Sequence, residues 1–102
     1  MNKYIGVEIG GTKQQLAVGY GDGRILDTRS VKLQYKRGAE DILDWLLENI
    51  QDLLEKNPDV TRIGVGFGGP LESATGRVLC SLQVPGWKDF SLKTWFEEKF
   101  HL

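Results

Sequence analysis

A tight turn is predicted at Val7-Glu8-Ile9-Gly10-Gly11-Thr12-Lys13, where an apolar strand is followed directly by two glycines, a hydroxyl and an ammonium. Glycine has no Cβ, so its N–H can approach an anion closely and its φ can be positive. Thr12 adds a hydroxyl donor and Lys13 a positive charge. Glu8, just before the turn, is placed to hold a hydrated cation against a bound phosphate. The stretch therefore fits a phosphate-binding turn, and it fits equally a plain hairpin whose glycines only reverse the chain.

Length, composition and charge indicate a small globular chain and exclude several functions. The 102 residues correspond to about one domain or part of one. A formal net charge of −1 gives no electrostatic footprint for nucleic acid or for an anionic membrane. No apolar run approaches the length of a membrane span. A single cysteine and a single histidine form neither an internal disulfide nor an internal zinc site, and we expect a cytoplasmic protein.

Three strands joined by tight turns are predicted at the start of the chain. Residues 4–9 form the first, and residues 14–19 return antiparallel to it after the double glycine. Tyr20-Gly21-Asp22-Gly23 is typical of a hairpin turn that needs positive φ, and a third strand follows over residues 24–31. The sequence therefore predicts an antiparallel meander.

A long amphipathic helix comes next. Its apolar residues recur at helical spacing and are Ala39, Ile42, Leu43, Leu46, Leu47, Ile50, Leu53 and Leu54. Glu40 and Asp41 lie in the first turn, where the helix dipole favours acidic side chains, and Asn57-Pro58 ends the helix. The apolar stripe predicts one side of a hydrophobic core.

A fourth strand is predicted over residues 62–67, where apolar residues alternate with Gly64 and Gly66. The glycines leave one face of this strand without side chains, so either the helix or a ligand packs close there. The segment that follows is polar and loop-like, with a short extended piece over residues 77–80.

Ser91 is a suitable N-cap for a last helix with an aromatic face. The apolar residues of this helix are Leu92, Trp95, Phe96 and Phe100, and we expect its aromatic residues to belong to the core. A parallel strand normally follows such a helix in an α/β sheet, so we expect an incomplete sheet and an uncapped end at Phe100-His101-Leu102. An open sheet edge and an exposed aromatic helix face favour a homo-oligomer.

Four glycine-containing segments together cover essentially the whole chain. They are residues 4–13, Ile63-Gly64-Val65-Gly66-Phe67-Gly68-Gly69-Pro70-Leu71, Thr75-Gly76-Arg77-Val78 and Gln83-Val84-Pro85-Gly86-Trp87. The first resembles the first phosphate motif of the ROK family (repressor, open reading frame, kinase), which belongs to the actin/hexokinase superfamily. The others resemble, in order and spacing, that family's second glycine-rich loop and the segment that ends in Gly-Trp.

The resemblance implies an α/β fold, the ribonuclease-H-like lobe of actin-like ATPases, with an incomplete mixed sheet in which the fourth strand is parallel to the first. It also implies that Gly10, Gly11, Thr12 and Lys13 line the phosphates of ATP through backbone N–H donors. Glu8 occupies the position where the family usually has an Asp that contacts the magnesium shell. Its longer side chain moves the carboxylate outward by one methylene.

The resemblance places a second set of residues in a loop near the sugar. These residues are Gly68, Gly69, Pro70, Gln83, Gly86 and Trp87. Gly68 departs from the Pro-Gly-Pro that the family more often has, and Trp87 fits either a sugar contact or an anchor of the loop. Cys80 and His101 are expected to be structural or surface residues and not catalytic ones.

The family's Asn-Asp segment, whose Asp is the general base, has no counterpart up to Leu102. We therefore expect residues 1–102 to be the N-terminal part of a ROK-type sugar kinase lobe, truncated before the catalytic segment. The complete protein would use ATP and Mg²⁺ to phosphorylate a hexose, and this part alone would bind nucleotide weakly or not at all and be inactive.

Two alternatives remain open at this stage. One is the sugar-sensing portion of a ROK-type transcriptional regulator. Such regulators carry a helix-turn-helix ahead of the phosphate motif, whereas here Met1 leads directly into the first strand, which disfavours DNA binding. The other is a scaffold domain that kept the lobe without the chemistry.

Overall fold

The structure, a computed structural model, describes residues 2–10, 13–32, 38–67, 71–72, 77–78 and 91–102. The elements in these residues are β1 (Lys3–Ile9), β2 (Lys13–Tyr20), β3 (Ile25–Lys32), α1 (Ala39–Lys56), β4 (Val60–Phe67), β5 (Leu71–Glu72), β6 (Arg77–Val78) and α2 (Leu92–Phe100). The predicted order of three strands, a helix, a fourth strand and a last helix is confirmed. The segment after β4 differs, because its extended pieces β5 and β6 pair antiparallel and satisfy each other's backbone groups.

The four long strands form one mixed sheet in the order β3-β2-β1-β4. β1 runs antiparallel to β2 and parallel to β4, and β2 runs antiparallel to β3. This confirms the α/β class, the meander and the parallel fourth strand. In the register, Glu8 of β1 lies between Gln15 of β2 and Gly66 of β4, so all three share one face of the sheet.

One face of the sheet and both helices enclose a single hydrophobic core. Its buried members are Ile5, Val7, Ile9, Leu16, Val18, Ala39, Ile42, Leu46, Ile50, Leu53, Val60, Leu92, Phe96 and Phe100. Each large aliphatic side chain taken out of water contributes about 1.5–3 kcal/mol, so this cluster is what holds α1 on the sheet. The apolar stripe predicted for α1 is therefore core, as expected.

Polar contacts fix where α1 lies on the sheet. The Arg29 guanidinium of β3 pairs with the Asp52 carboxylate of α1 and donates to Asn49 Oδ1 at 3.2 Å. Lys56 Nζ also lies 3.1 Å from Asp52 Oδ2. The hydrogen bonds from Arg29 and then from Lys56 hold the pKa of Asp52 below its usual value.

A second set of contacts ties the end of α1 to the start of β1. The Asn57 N–H donates to Leu53 O at 2.8 Å, which ends the helix where Asn57-Pro58 was predicted to end it. Lys3 Nζ lies 3.1 Å from Asp59 Oδ1 and 3.5 Å from Asn57 Oδ1. The hydrogen bond from Lys3 lowers the pKa of Asp59.

α2 packs into the core through its aromatic residues. Ser91 Oγ accepts from the Thr94 N–H at 3.4 Å, so the predicted N-cap is confirmed. Phe96 and Phe100 are buried, and the half-buried Trp95 meets the Phe96 ring edge-on at 4.9 Å. The prediction that these aromatic residues belong to the core is confirmed, whereas the exposed aromatic face from which self-association was predicted is not found among the described residues.

The last helix also ends differently from the expectation of an uncapped end. His101 adopts a left-handed conformation with φ of 58°, and its N–H donates to Glu97 O at 2.9 Å. This is how a helix is commonly capped, usually by glycine. His101 is exposed, as the sequence predicted.

No helix in the part of the chain that the structure describes is both long enough and apolar enough to cross a lipid bilayer.

Candidate functional site

The turn between β1 and β2 is held by hydrogen bonds around Gly10. The Gly10 N–H donates to Lys13 O at 3.2 Å and to Gln14 Oε1 at 3.1 Å. Gln14 Nε2 in turn donates to Gly10 O at 3.1 Å. A Cβ at Gly10 would lie 2.9 Å from Lys13 O, which is closer than real Cβ atoms approach. The turn therefore needs glycine at position 10 for reasons of space.

Glu8 and Lys13 lie at this end of the sheet, exposed on the face opposite the core. Gln15 lies between them. With its amide oriented to satisfy both neighbours, Nε2 donates to Glu8 Oε2 at 3.0 Å and Oε1 accepts from Lys13 Nζ at 3.1 Å. The carboxylate and the ammonium are thus joined through a neutral amide and remain open to solvent.

Small residues next to Glu8 and Gln15 leave a concavity on this face of the sheet. Gly6, Ala17 and Gly64 lie side by side on β1, β2 and β4 and line a concavity of about 480 Å³ together with Glu8 and Gln15. A Cβ at Gly6 or Gly64 would meet nothing within 4 Å. Of the two possibilities left by the sequence, close packing by α1 does not occur, because α1 covers the opposite face.

Glu8 is an acidic residue of this turn that could contribute to holding a metal ion. Among the described residues, no three His, Cys, Asp or Glu side chains gather to ligate an ion. Mg²⁺ is commonly held by one or two carboxylates together with waters and substrate phosphates. Glu8, exposed beside the turn, can supply one such carboxylate.

Three of the predicted site residues can be located, and the structure brings them together. These are Glu8, Gly10 and Lys13, all at the β1–β2 turn. The others lie outside the described residues, and they are Gly11, Thr12, Gly68, Gly69, Pro70, Gln83, Gly86 and Trp87. Cys80 also lies outside them.

Sequence reasoning missed two residues, Gln14 and Gln15. A signal for Gln14 was available, because strand alternation puts it on the same face as Leu16 and Val18, which are buried core residues. A fully buried amide at such a position must find partners, and Gln14 finds them in the turn. The role of Gln15 depends on its register opposite Glu8, which the sequence did not define.

Comparison with known proteins gives consistent results. The model of the ROK family matches residues 4–102. The glucokinase of Halalkalibacterium halodurans is 32% identical over 107 aligned positions that include 97% of this chain and 31% of that protein. A ROK family glucokinase from Streptomyces griseus, solved with glucose and AMPPNP, superposes with a TM-score of 0.85 at 32% identity, over 99% of this chain and 31% of that one.

A ROK family transcriptional regulator, a homologue of the E. coli MLC protein, has a TM-score of 0.78 at 21% identity, over 98% of this chain and 26% of that one. At this identity it shows a shared fold alone. The chain thus spans about a third or less of the length of each of these three proteins.

Proposed function

The chain belongs to the ROK family, and we propose that it forms the phosphate-binding part of an ATP-dependent sugar kinase. The observation that carries the proposal is the β1–β2 turn. Its backbone approaches itself closely at Gly10, and the turn carries the exposed cation of Lys13 and the exposed carboxylate of Glu8. A magnesium–triphosphate needs this combination of close backbone approach, positive charge and one oxygen ligand.

The roles of the turn residues follow from their contacts. The Gly10 N–H is already engaged by Lys13 O and Gln14 Oε1, so in this proposal Gly10 serves close approach. The proposed N–H donors to phosphate are then Gly11 and Thr12, which lie outside the described residues. The Lys13 ammonium, exposed at the start of β2, adds charge stabilisation. Glu8 would hold the hydrated Mg²⁺, which would supply charge neutralisation to the phosphates of a bound nucleotide.

The acceptor substrate in this proposal is a hexose. It rests on family membership and on the glucose in the related Streptomyces griseus structure. The sugar-site loop is proposed over residues 68–70 and 83–87, as the resemblance implies. Phosphoryl transfer requires both substrates to be positioned with a base near the attacking hydroxyl. We place that base in the remaining two thirds of a full-length protein, so residues 1–102 alone are inactive.

A nucleotide titration with a matched pair of glycine variants tests the proposal. Amide signals of the ¹⁵N-labelled chain are followed by NMR as MgATP is added. We expect saturable shifts at residues 8–13, with a midpoint on the order of millimolar, because one lobe supplies only part of the contacts. Gly10→Ala abolishes these shifts, since its Cβ collides with Lys13 O, and Gly6→Ala, where a Cβ meets nothing, retains them.

Two results would contradict the proposal. One is a wild-type chain whose residues 8–13 show no shift at saturating MgATP, and the other is a Gly10→Ala variant that is folded and responds like Gly6→Ala. A coupled assay of glucose phosphorylation by residues 1–102 tests the proposed inactivity separately, and sustained turnover there would disprove it.

A further inference from the structure

Gln14 is a polar side chain in a position that the strand pattern reserves for an apolar one. It is 0% exposed, and its neighbours along the same face of β2 are Leu16 and Val18. An aliphatic residue would fill this place without needing hydrogen-bond partners. The hydrogen-bond partners of the amide therefore indicate its role.

Two hydrogen bonds of Gln14 go to a single residue, Gly10. Its oxygen accepts from the Gly10 N–H and its nitrogen donates to the Gly10 carbonyl, each at 3.1 Å. The amide thus makes the same pair of hydrogen bonds to Gly10 that the backbone of a neighbouring strand would make. Because both polar backbone atoms of Gly10 are held, the position and orientation of this residue are fixed.

We propose that Gln14 is a positioning residue of the phosphate turn, whose buried amide fixes the Gly10 backbone at the start of that turn. This inference rests on the proposed function and deepens it. Gln14 does not touch the ligand, since it lies on the core face of the sheet, whereas Glu8 and Lys13 lie on the open face. It acts through the Gly10 backbone.

Gln14→Met is the primary test, because methionine keeps the length of the side chain and removes both hydrogen bonds. Leu16→Met is the matched control, a near volume-conserving change on the same buried face that leaves the turn untouched. Amide hydrogen exchange of residues 10–13, MgATP titration by NMR and thermal unfolding are measured for both variants and the wild type.

We expect the Gln14→Met variant to exchange the Gly10 amide faster and to bind MgATP with a midpoint raised about threefold to tenfold, the size expected for lost hydrogen bonds. Leu16→Met should match the wild type in both. A merely structural role predicts instead a lower melting temperature with an unchanged MgATP midpoint in the folded protein. That result would overturn the inference while leaving the proposed function intact.

Gln14→Glu provides a second measurement that does not depend on the methionine variant folding. A neutral carboxyl carries one donor and one acceptor and can make both bonds to Gly10, whereas the ionised form only accepts. Burial raises the pKa of the introduced carboxyl. The ratio of its MgATP midpoint to that of the wild type should therefore be near one at low pH and rise with pH.

A ratio that stays flat across that range would contradict the positioning role. A wild-type chain that shows no response to MgATP would instead overturn the proposed function, and with it the phosphate part of this inference. Exchange at Gly10 in the Gln14 variants still decides, in that case, whether Gln14 orders the turn.

Discussion

Glu8 and Gln15 lie directly opposite each other on β1 and β2, and the Gln15 amide nitrogen donates to Glu8 Oε2 at 3.0 Å. The oxygen of the same amide accepts from Lys13 Nζ, so a neutral group separates the Glu8 carboxylate from the Lys13 ammonium. A direct ion pair would occupy both charges with each other. The amide bridge leaves the carboxylate free to meet a cation and the ammonium free to meet a phosphate.

Replacing Glu8 should weaken nucleotide binding only when magnesium is present. Glu8→Gln removes the carboxylate charge and keeps the side-chain length, and we expect the MgATP midpoint to rise about threefold to tenfold, the size of one ordinary hydrogen bond. In the presence of a chelator, ATP should bind wild type and variant alike. Glu48→Gln, a change at an exposed acid on α1, is the control and should shift neither midpoint. An equal loss with and without magnesium would exclude a role for Glu8 at the metal.

The glycines of the sheet should respond to alanine in opposite directions. A Cβ at Gly64 meets nothing within 4 Å, so Gly64→Ala restricts the unfolded chain and should raise the free energy of unfolding by about 0.4–1 kcal/mol. A Cβ at Gly19 would lie 2.5 Å from Arg24 O, so Gly19→Ala must move backbone and should lower that free energy by about 1–3 kcal/mol. Urea unfolding measures both, and a destabilised Gly64→Ala variant would show that this face is covered.

Stability should fall in acid because of the contact between Arg29 and Asp52. The pKa of Asp52 is lowered in the folded state, chiefly by the hydrogen bond from Arg29 and then by that from Lys56. Its contribution is therefore fully present above the unfolded value, about 3.9, and is lost as the pH falls through the lower folded value. The effect is small, since the carboxylate is partly exposed.

Urea unfolding between neutral pH and about pH 2 tests this pH dependence of the free energy of unfolding. The range includes the pKa of Asp in the unfolded chain, near about 3.9. Asp52→Asn should flatten the acid limb of the curve and Glu55→Gln, another change on α1, should do so less. An Asp52→Asn curve parallel to the wild type would disprove the assignment.

The long elements could be predicted because their signals are local. The apolar stripe of α1 and the turn at Gly23, where φ is 93°, follow from residue spacing and type, and the parallel fourth strand was implied by the family resemblance. The contacts at the candidate site could not be read in this way. The bridge through Gln15 depends on strand register, which residue type and spacing do not define.

The central claim, that the β1–β2 turn holds a metal-bound nucleotide, is tested most directly by paramagnetic relaxation. Mn²⁺ replaces Mg²⁺ in the complex with ATP, and the broadening of each amide signal of the labelled chain reports its proximity to the metal. The account predicts the strongest broadening at residues 8–13 and none at the β2–β3 hairpin around Asp22 at the opposite end of the sheet. Broadening centred instead on the acidic side chains of α1, with residues 8–13 unaffected, would contradict it.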